Sequence, residues 1–135
     1  MNAEEMKRRT KQFSIDVGHL VLQLERTDLN RNYNNQIIRS SSSVGPNYRA
    51  VRRAKSKPDF INKLKIVEEE LDESLFFLEL LHEFNSAKRE LINKIYKESE
   101  ELLKIIVATI NSSRSRTNRT SKIVHQIVFV NGTAH

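Results

Sequence analysis

The stretch "SKPDFINKLKIVEEELDESLFFLELLHEF", residues 56–84, decides the fold class. It opens with the chemistry of a helix start. Ser56 is placed to cap, Pro58 falls in the first turn where its missing N–H costs nothing, and Asp59 meets the positive end of the helix dipole. Phe60, Leu64, Val67, Leu71, Ser74, Leu78 and Leu81 then recur in alternating steps of four and three, the seam of a helix lying nearly parallel to its neighbours. Ile66, Phe77, Leu80 and Phe84 make a second stripe, turned about a third of a revolution from the first at ~100° per residue. The spacing therefore predicts a helix over 57–84 with two faces to bury.

The same periodicity extends in both directions. Phe13, Val17, Leu20 and Leu24 predict a helix over about 5–26, closed by "TDLNRN". Tyr33, Ile37, Ser41, Val44, Tyr48 and Val51 place a narrower apolar face on a segment from about 31 to 55. Within it, Ser40, Ser41 and Gly45 are small enough for another helix to approach closely, and Pro46 predicts a kink or break near Ser42. After "FNSAKRE", Leu91, Ile95, Leu102, Ile106 and Ile110 predict a fourth helix over 87–110. Four helices with short connections make an all-α, up-down-up-down bundle over residues 1–110. From Asn111 the composition turns to "NSSRSRTNRTSK" and "IVHQIVFV", so residues 111–135 are expected to be a flexible basic tail.

Composition agrees with long helices and excludes several chemistries. Three Gly, two Pro and no Trp in 135 residues disfavour a turn-rich β protein. The absence of cysteine removes disulfides, thiolate metal sites and thiol nucleophiles, and suits a reducing cytoplasm. No apolar run approaches the ~18 residues of a membrane span, and "MNAEEMKRRTKQF" has no apolar leader, so a soluble cytoplasmic protein is expected. The net charge of +6 is unevenly spread. Residues 31–65 carry nine Lys or Arg against the single acid Asp59, whereas residues 66–83 carry seven acids and no Lys or Arg.

The stretch "SSSSVGPNYRAVRRAKSKPDFINKLKIVEEELDESLFFLELL", residues 40–81, resembles the core signature of the bacterial four-helix bundle family known as 23S rRNA intervening-sequence proteins. The likeness rests on the order and spacing of Gly45, Asn47, Arg49, Arg52, Arg53, Ser56, Asp59, Phe60, Lys63, Ile66, Glu69, Asp72, Glu73, Ser74, Phe76 and Phe77, and it extends over roughly 8–111. It implies a left-handed bundle assembling as a homo-oligomeric ring, commonly a pentamer. A related branch, the accessory variability proteins of diversity-generating retroelements, implies association with reverse transcriptase and nucleic acid. The resemblance supplies no catalytic activity and no cofactor. Pro46 and the tail depart from the family pattern.

Two surfaces emerge as candidates. On a helical wheel Arg39, Arg49, Arg52 and Arg53 fall within an arc of about 140°, away from the apolar face, and Lys55, Lys57, Lys63 and Lys65 extend it around the following turn. Arginine forks suit phosphate oxygens, so this is the candidate nucleic-acid surface. Alternatively, these charges pair with Glu68, Asp72, Glu79 and Glu83, within a subunit or in a neighbour. Those acids, with Ile66, Phe77, Leu80 and Phe84, form the candidate oligomer interface, because a basic edge and an acidic edge are the two halves of a head-to-tail contact. Glu79-x-x-His82 and Asp16-x-x-His19 have the spacing of bundle metal ligands but lack the further inward carboxylates a di-iron core needs, so no metal is expected. The serine run has no locally placed base to activate a nucleophile and reads as close packing. The expectation is a non-catalytic, oligomeric nucleic-acid-binding bundle, or else a purely structural adaptor with a protein partner.

Overall fold

The computed structural model describes the backbone of residues 2–131 and the side chains of residues 2–115. It contains four α-helices, α1 (Ala3–Gln23), α2 (Asp28–Val51), α3 (Lys57–Phe84) and α4 (Arg89–Asn131), with a single 3-10 turn, Ser86–Lys88, before α4. Among the described residues there is no strand. Each of the first three helices starts on a side-chain cap. Asn2 Oδ1 accepts from the Glu5 amide at 2.8 Å, Thr27 Oγ1 from the Asn30 amide at 3.1 Å, and Ser56 Oγ from the Asp59 amide at 3.2 Å. These bonds satisfy amides that the first turn leaves without partners.

Consecutive helices run antiparallel and pack side by side, α1 on α2, α2 on α3, α3 on α4 and α4 back on α1, so that α1 and α3 stand at opposite corners. This is a four-helix bundle. Its core is formed by Phe13, Val17 and Leu20 of α1, Ile37 and Val44 of α2, Leu64, Val67, Leu71, Leu78 and Leu81 of α3, and Ile92, Leu102 and Ile106 of α4. Burying a side chain of this kind is worth about 1.5–3 kcal/mol, and the four-three seam of α3 delivers five of them to one interior.

The register is set by polar contacts at several heights. Asn30 and Asn85 exchange two amide hydrogen bonds at 2.9 Å, fixing the start of α2 beside the end of α3. Midway, the buried hydroxyls of Ser40 and Ser74 meet at 2.8 Å. Ser14 Oγ donates to the Ser41 carbonyl at 2.9 Å, joining α1 to α2. Part of the serine run is thus interior packing, as expected. Gly45 is buried too, yet a methyl added there would meet Thr10 Oγ1 only at 3.7 Å, an ordinary contact.

The structure departs from the sequence-based boundaries in several places, and α2 also ends at Val51 rather than 55. Helix α1 ends at Gln23 rather than 26, and α2 begins at Asp28 rather than 31, because Thr27 is a helix cap. The break expected near Ser42 is absent, and α2 is continuous through Pro46. Pro46 is exposed, so the carbonyl it leaves without an amide is on the solvent side; nearby, Asn47 Nδ2 donates to the Ser43 carbonyl at 2.8 Å and Ser43 Oγ to that of Arg39 at 2.7 Å. Finally, α4 does not stop at 110 but runs to Asn131. Ser113, only 1% exposed, continues the buried row of Leu102, Ile106 and Ile110. Side chains of the expected tail from 116 onward lie outside the described residues, as do residues 132–135 entirely.

Candidate nucleic-acid interface and subunit-contact faces

Antiparallel packing brings the start of α1, the α2–α3 turn and the Ser113 region of α4 to one end of the bundle. Two observations fix this. Arg52 at the end of α2 lies 3.3 Å from Glu4 at the start of α1. In addition, an open hollow of about 550 Å³ is lined jointly by Arg52, Lys55, Ser56, Lys57, Phe60 and Ser113. Residues 2–11, 49–65 and 111–115, which build this end, hold twelve Lys or Arg against three acids. The opposite end, residues 19–31 and 79–97, holds six against five. The bundle is therefore polarised along its axis, with the positive charge at the α2–α3 turn.

The predicted basic residues fall into separate groups. Arg39 is tied to α3: its guanidinium hydrogen-bonds Glu73 and lies 3.7 Å from Glu70. The Glu73 bond pushes the Arg39 pKa upward. Glu70 is held by burial above the usual carboxylate range, against the opposing pull of Arg39. Lys63 pairs with Asp59 at 2.8 Å, and that bond, with the Lys55 amide at 2.9 Å, lowers the Asp59 pKa. Arg52 pairs with the exposed Glu4, a contact worth little in water. Among the described residues, Arg49, Arg53, Lys55, Lys57 and Lys65 have no carboxylate within ion-pair distance and are exposed. Lys65 stands two turns into α3, away from the α2 arginines. The positions brought together and left available are thus Arg49, Arg52, Arg53, Lys55 and Lys57.

Sequence reasoning missed the contribution of α1. Lys7, Arg8 and Lys11 stand at the same end, as does the exposed Arg114 of α4. The signal was present in "MKRRTK" once an up-down-up-down order placed the start of α1 beside the end of α2. Arg9 from the same run is different in kind. Its side chain is only 14% exposed, its Nε donates to Glu98 at 3.0 Å, and its NH2 group makes a second bond to the same carboxylate and lies 3.3 Å from Glu101. It fastens α1 to α4.

The acidic side is also rearranged. Pairing of α2 within the protomer involves Glu70 and Glu73, not the expected Glu68, Asp72, Glu79 and Glu83. On the helical wheel those last four lie around the other edge of α3, turned away from Arg39. Asp72, Glu79 and Glu83 are exposed, and the Tyr96 hydroxyl donates to Glu79 at 3.5 Å. Of the expected apolar interface, Ile66 (43%) and Phe84 (54%) are exposed, whereas Phe77 and Leu80 are half-buried. Phe77 and Phe84 both pack on Tyr33, with ring centroids 6.3 and 6.1 Å apart. Phe76, part of the family signature but not of the expected interface, is 54% exposed and lies edge-on to Phe77. Among the described residues no group of three His, Cys, Asp or Glu is arranged to hold a metal ion.

The sequence pattern of the family described as 23S rRNA-intervening sequence protein matches residues 4–108. The chain belongs to this family. A crystal structure of a protein of unknown function from the S23 ribosomal protein family of Bacteroides thetaiotaomicron is similar in fold, with a TM-score of 0.69 and 30% identity over 78% of this chain and 97% of that one. Comparison with curated proteins gives no match. Membership in the 23S rRNA-intervening sequence protein family agrees with the all-helical architecture and with the span of the motifs in residues 40–81. Among the described residues no helix is long and apolar enough to cross a membrane.

Proposed function

We propose that this protein is a non-catalytic, homo-oligomeric bundle that binds the backbone of RNA or DNA in the cytoplasm through the basic end formed at the α2–α3 turn. One observation carries the reading: the side chains of Arg49, Arg53, Lys55 and Lys57 are exposed on a strongly positive end with no carboxylate within ion-pair distance among the described residues, whereas Arg39 is already engaged by Glu70 and Glu73. Guanidinium and ammonium groups at this end neutralise phosphates whatever the base sequence, so recognition is of backbone and shape. The assembly is a head-to-tail ring of left-handed bundles, with the pentamer as the size the family likeness suggests. The same likeness points to ribosomal RNA, or the RNA served by a reverse transcriptase, as the first polynucleotides to try.

A second reading, a structural adaptor with a protein partner, is favoured by the exposed Phe76 and Phe84 beside the exposed acids Asp72, Glu79 and Glu83. The two separate in one experiment. Purified protein is titrated with a ribosomal RNA fragment and with an unrelated duplex of equal length while its mass is followed. The proposal expects comparable binding to both, lost in Arg49→Ala/Arg53→Ala/Lys55→Ala/Lys57→Ala without change of assembly. Wild-type protein that ignores both polymers favours the adaptor.

A further inference from the structure

We infer that the hollow at the α2–α3 turn seats one unpaired nucleotide of a bound strand, its base against Phe60 and its flanking phosphates on Arg52, Lys55 and Lys57. This rests on the polyanion-binding reading above and names the part of the polymer that this end takes in. The lining has two kinds of surface. Arg52, the C-cap of α2, Lys55 in the turn and Lys57, the first residue of α3, supply three cations, and the lining contains no acid. Val51, Ala54 and Phe60 supply an apolar wall, in which Phe60 packs on the core yet stays only half-buried.

The acids nearby do not oppose a phosphate. Asp59 is engaged by the turn itself: it accepts from the Lys55 amide at 2.9 Å and from Lys63 Nζ at 2.8 and 3.0 Å. Glu4, the partner of Arg52, is exposed and shared with Lys7, both contacts being 3.3 Å, so a phosphate displaces it at little cost. The backbone of the turn is also fixed. The Arg53 and Ala54 amides donate to the Ala50 and Val51 carbonyls at 3.0 and 3.1 Å, the Asp59 amide to Ser56 Oγ at 3.2 Å, and the Phe60 amide to the Ser56 carbonyl at 2.9 Å. The hollow is therefore built before a ligand enters, and binding does not have to order the turn.

The make-up of the walls selects the occupant. A phosphate alone needs only the cations, and a paired duplex keeps its bases stacked inside, so either would leave Val51, Ala54 and Phe60 against water. A nucleotide whose base is out of the stack carries an apolar ring face and a charged phosphate on one unit. The volume of about 550 Å³ lies within the range of pockets that hold small molecules. Stacking accepts every base, so the seat adds no sequence preference, and the cations around it still take the outer phosphates of a duplex.

The test compares two strands with the same phosphates. Full-length protein is titrated, in one buffer, with a fluorescent thymidine oligonucleotide and with an abasic chain of equal length, and binding is read by anisotropy. The thymidine strand is expected to bind about fivefold tighter or more, the lower end of what one stacked base contributes. Phe60→Leu keeps an apolar side chain against the core, and Ala54→Leu fills the hollow without touching a cation. Each is expected to bring the ratio of affinities close to one, with helix content checked by circular dichroism. Equal affinity of the wild type for the two strands would overturn the seat and leave the polyanion reading standing. A wild-type preference undiminished in both folded variants would overturn it too, placing the base contact elsewhere on the protein. A protein that binds neither strand would instead bring down the polyanion reading itself, and the seat with it.

Discussion

Replacing Arg9 by Met tests whether a partly buried cation, and not apolar packing alone, holds α1 against α4. Met keeps much of the hydrophobic stem and removes only the guanidinium. Breaking a fully buried ion pair from one side costs about 3–5 kcal/mol, because the remaining charge is stranded, whereas an exposed pair is worth about 0–1 kcal/mol. The Arg9 side chain is 14% exposed, Glu98 32% and Glu101 62%, so the first bridge lies between these limits and the second near the lower one. The expected loss for Arg9→Met is about 2 kcal/mol. Glu98→Gln should cost about 1–2 kcal/mol, Glu101→Gln no more than ~0.5 kcal/mol, and Arg9→Met/Glu98→Gln clearly less than the sum of its parts. Urea unfolding followed by circular dichroism, at one fixed protein concentration so that assembly does not shift the midpoint, measures all four. Should Arg9→Met lie within ~0.5 kcal/mol of wild type, or should Glu101→Gln cost as much as Glu98→Gln, the assignment of Arg9 as the α1–α4 fastening is wrong.

Gly45→Ala is expected to stabilise by about 0.5–1 kcal/mol, since the methyl meets Thr10 Oγ1 at an ordinary 3.7 Å and glycine is costly inside a helix; a lowered urea midpoint would show that α1 and α2 lie closer than this. Glu70 has its carboxyl pKa raised by burial, so the native state favours its protonated form: ionisation is opposed as pH rises through the folded pKa, and the penalty is absent below the unfolded value. Glu70→Gln should accordingly match or exceed wild-type stability at pH 7 and lose that advantage in acid, a trend that unfolding midpoints across pH would reverse if Arg39 pairing outweighed burial.

The fold was most legible where chemistry marks both ends of an element. Helix α3 matched its predicted span because Ser56, Pro58 and Asp59 announce the start and Asn85 with Ser86 the stop. At the start of α2 the equivalent mark is Thr27 before Asp28, but it lies inside "TDLNRN", a polar run that serves equally well to end the preceding helix. Pro46 does not break α2 because it sits on the exposed side of the helix. In α4 the buried row reaches Ile92, three residues before Ile95, and leaves Leu91 half-buried at its edge, because steps of three and of four from Ile95 both fit a helical face. The candidate surfaces were less legible for a related reason. Charge along the chain gathers Arg39 with the arginines that follow it, whereas the basic end is assembled across helices from Lys7, Arg8 and Lys11 as well as the α2–α3 turn. Which acids Arg39 meets depends on the α2–α3 register, set by contacts such as Ser40–Ser74 that no local pattern displays.

The most direct test of the central claim is the dependence of RNA affinity on salt, for wild type and for Arg49→Ala/Arg53→Ala/Lys55→Ala/Lys57→Ala, with native mass recorded alongside. Each phosphate neutralised contributes about 0.7 (single strand) to 0.9 (duplex) to the slope of log affinity against log salt, so loss of four cations should flatten a duplex slope by about 3–4 while the mass stays fixed. A wild-type slope near zero, or one unchanged by the four substitutions, would contradict the assignment of the α2–α3 end as a polyanion-binding surface.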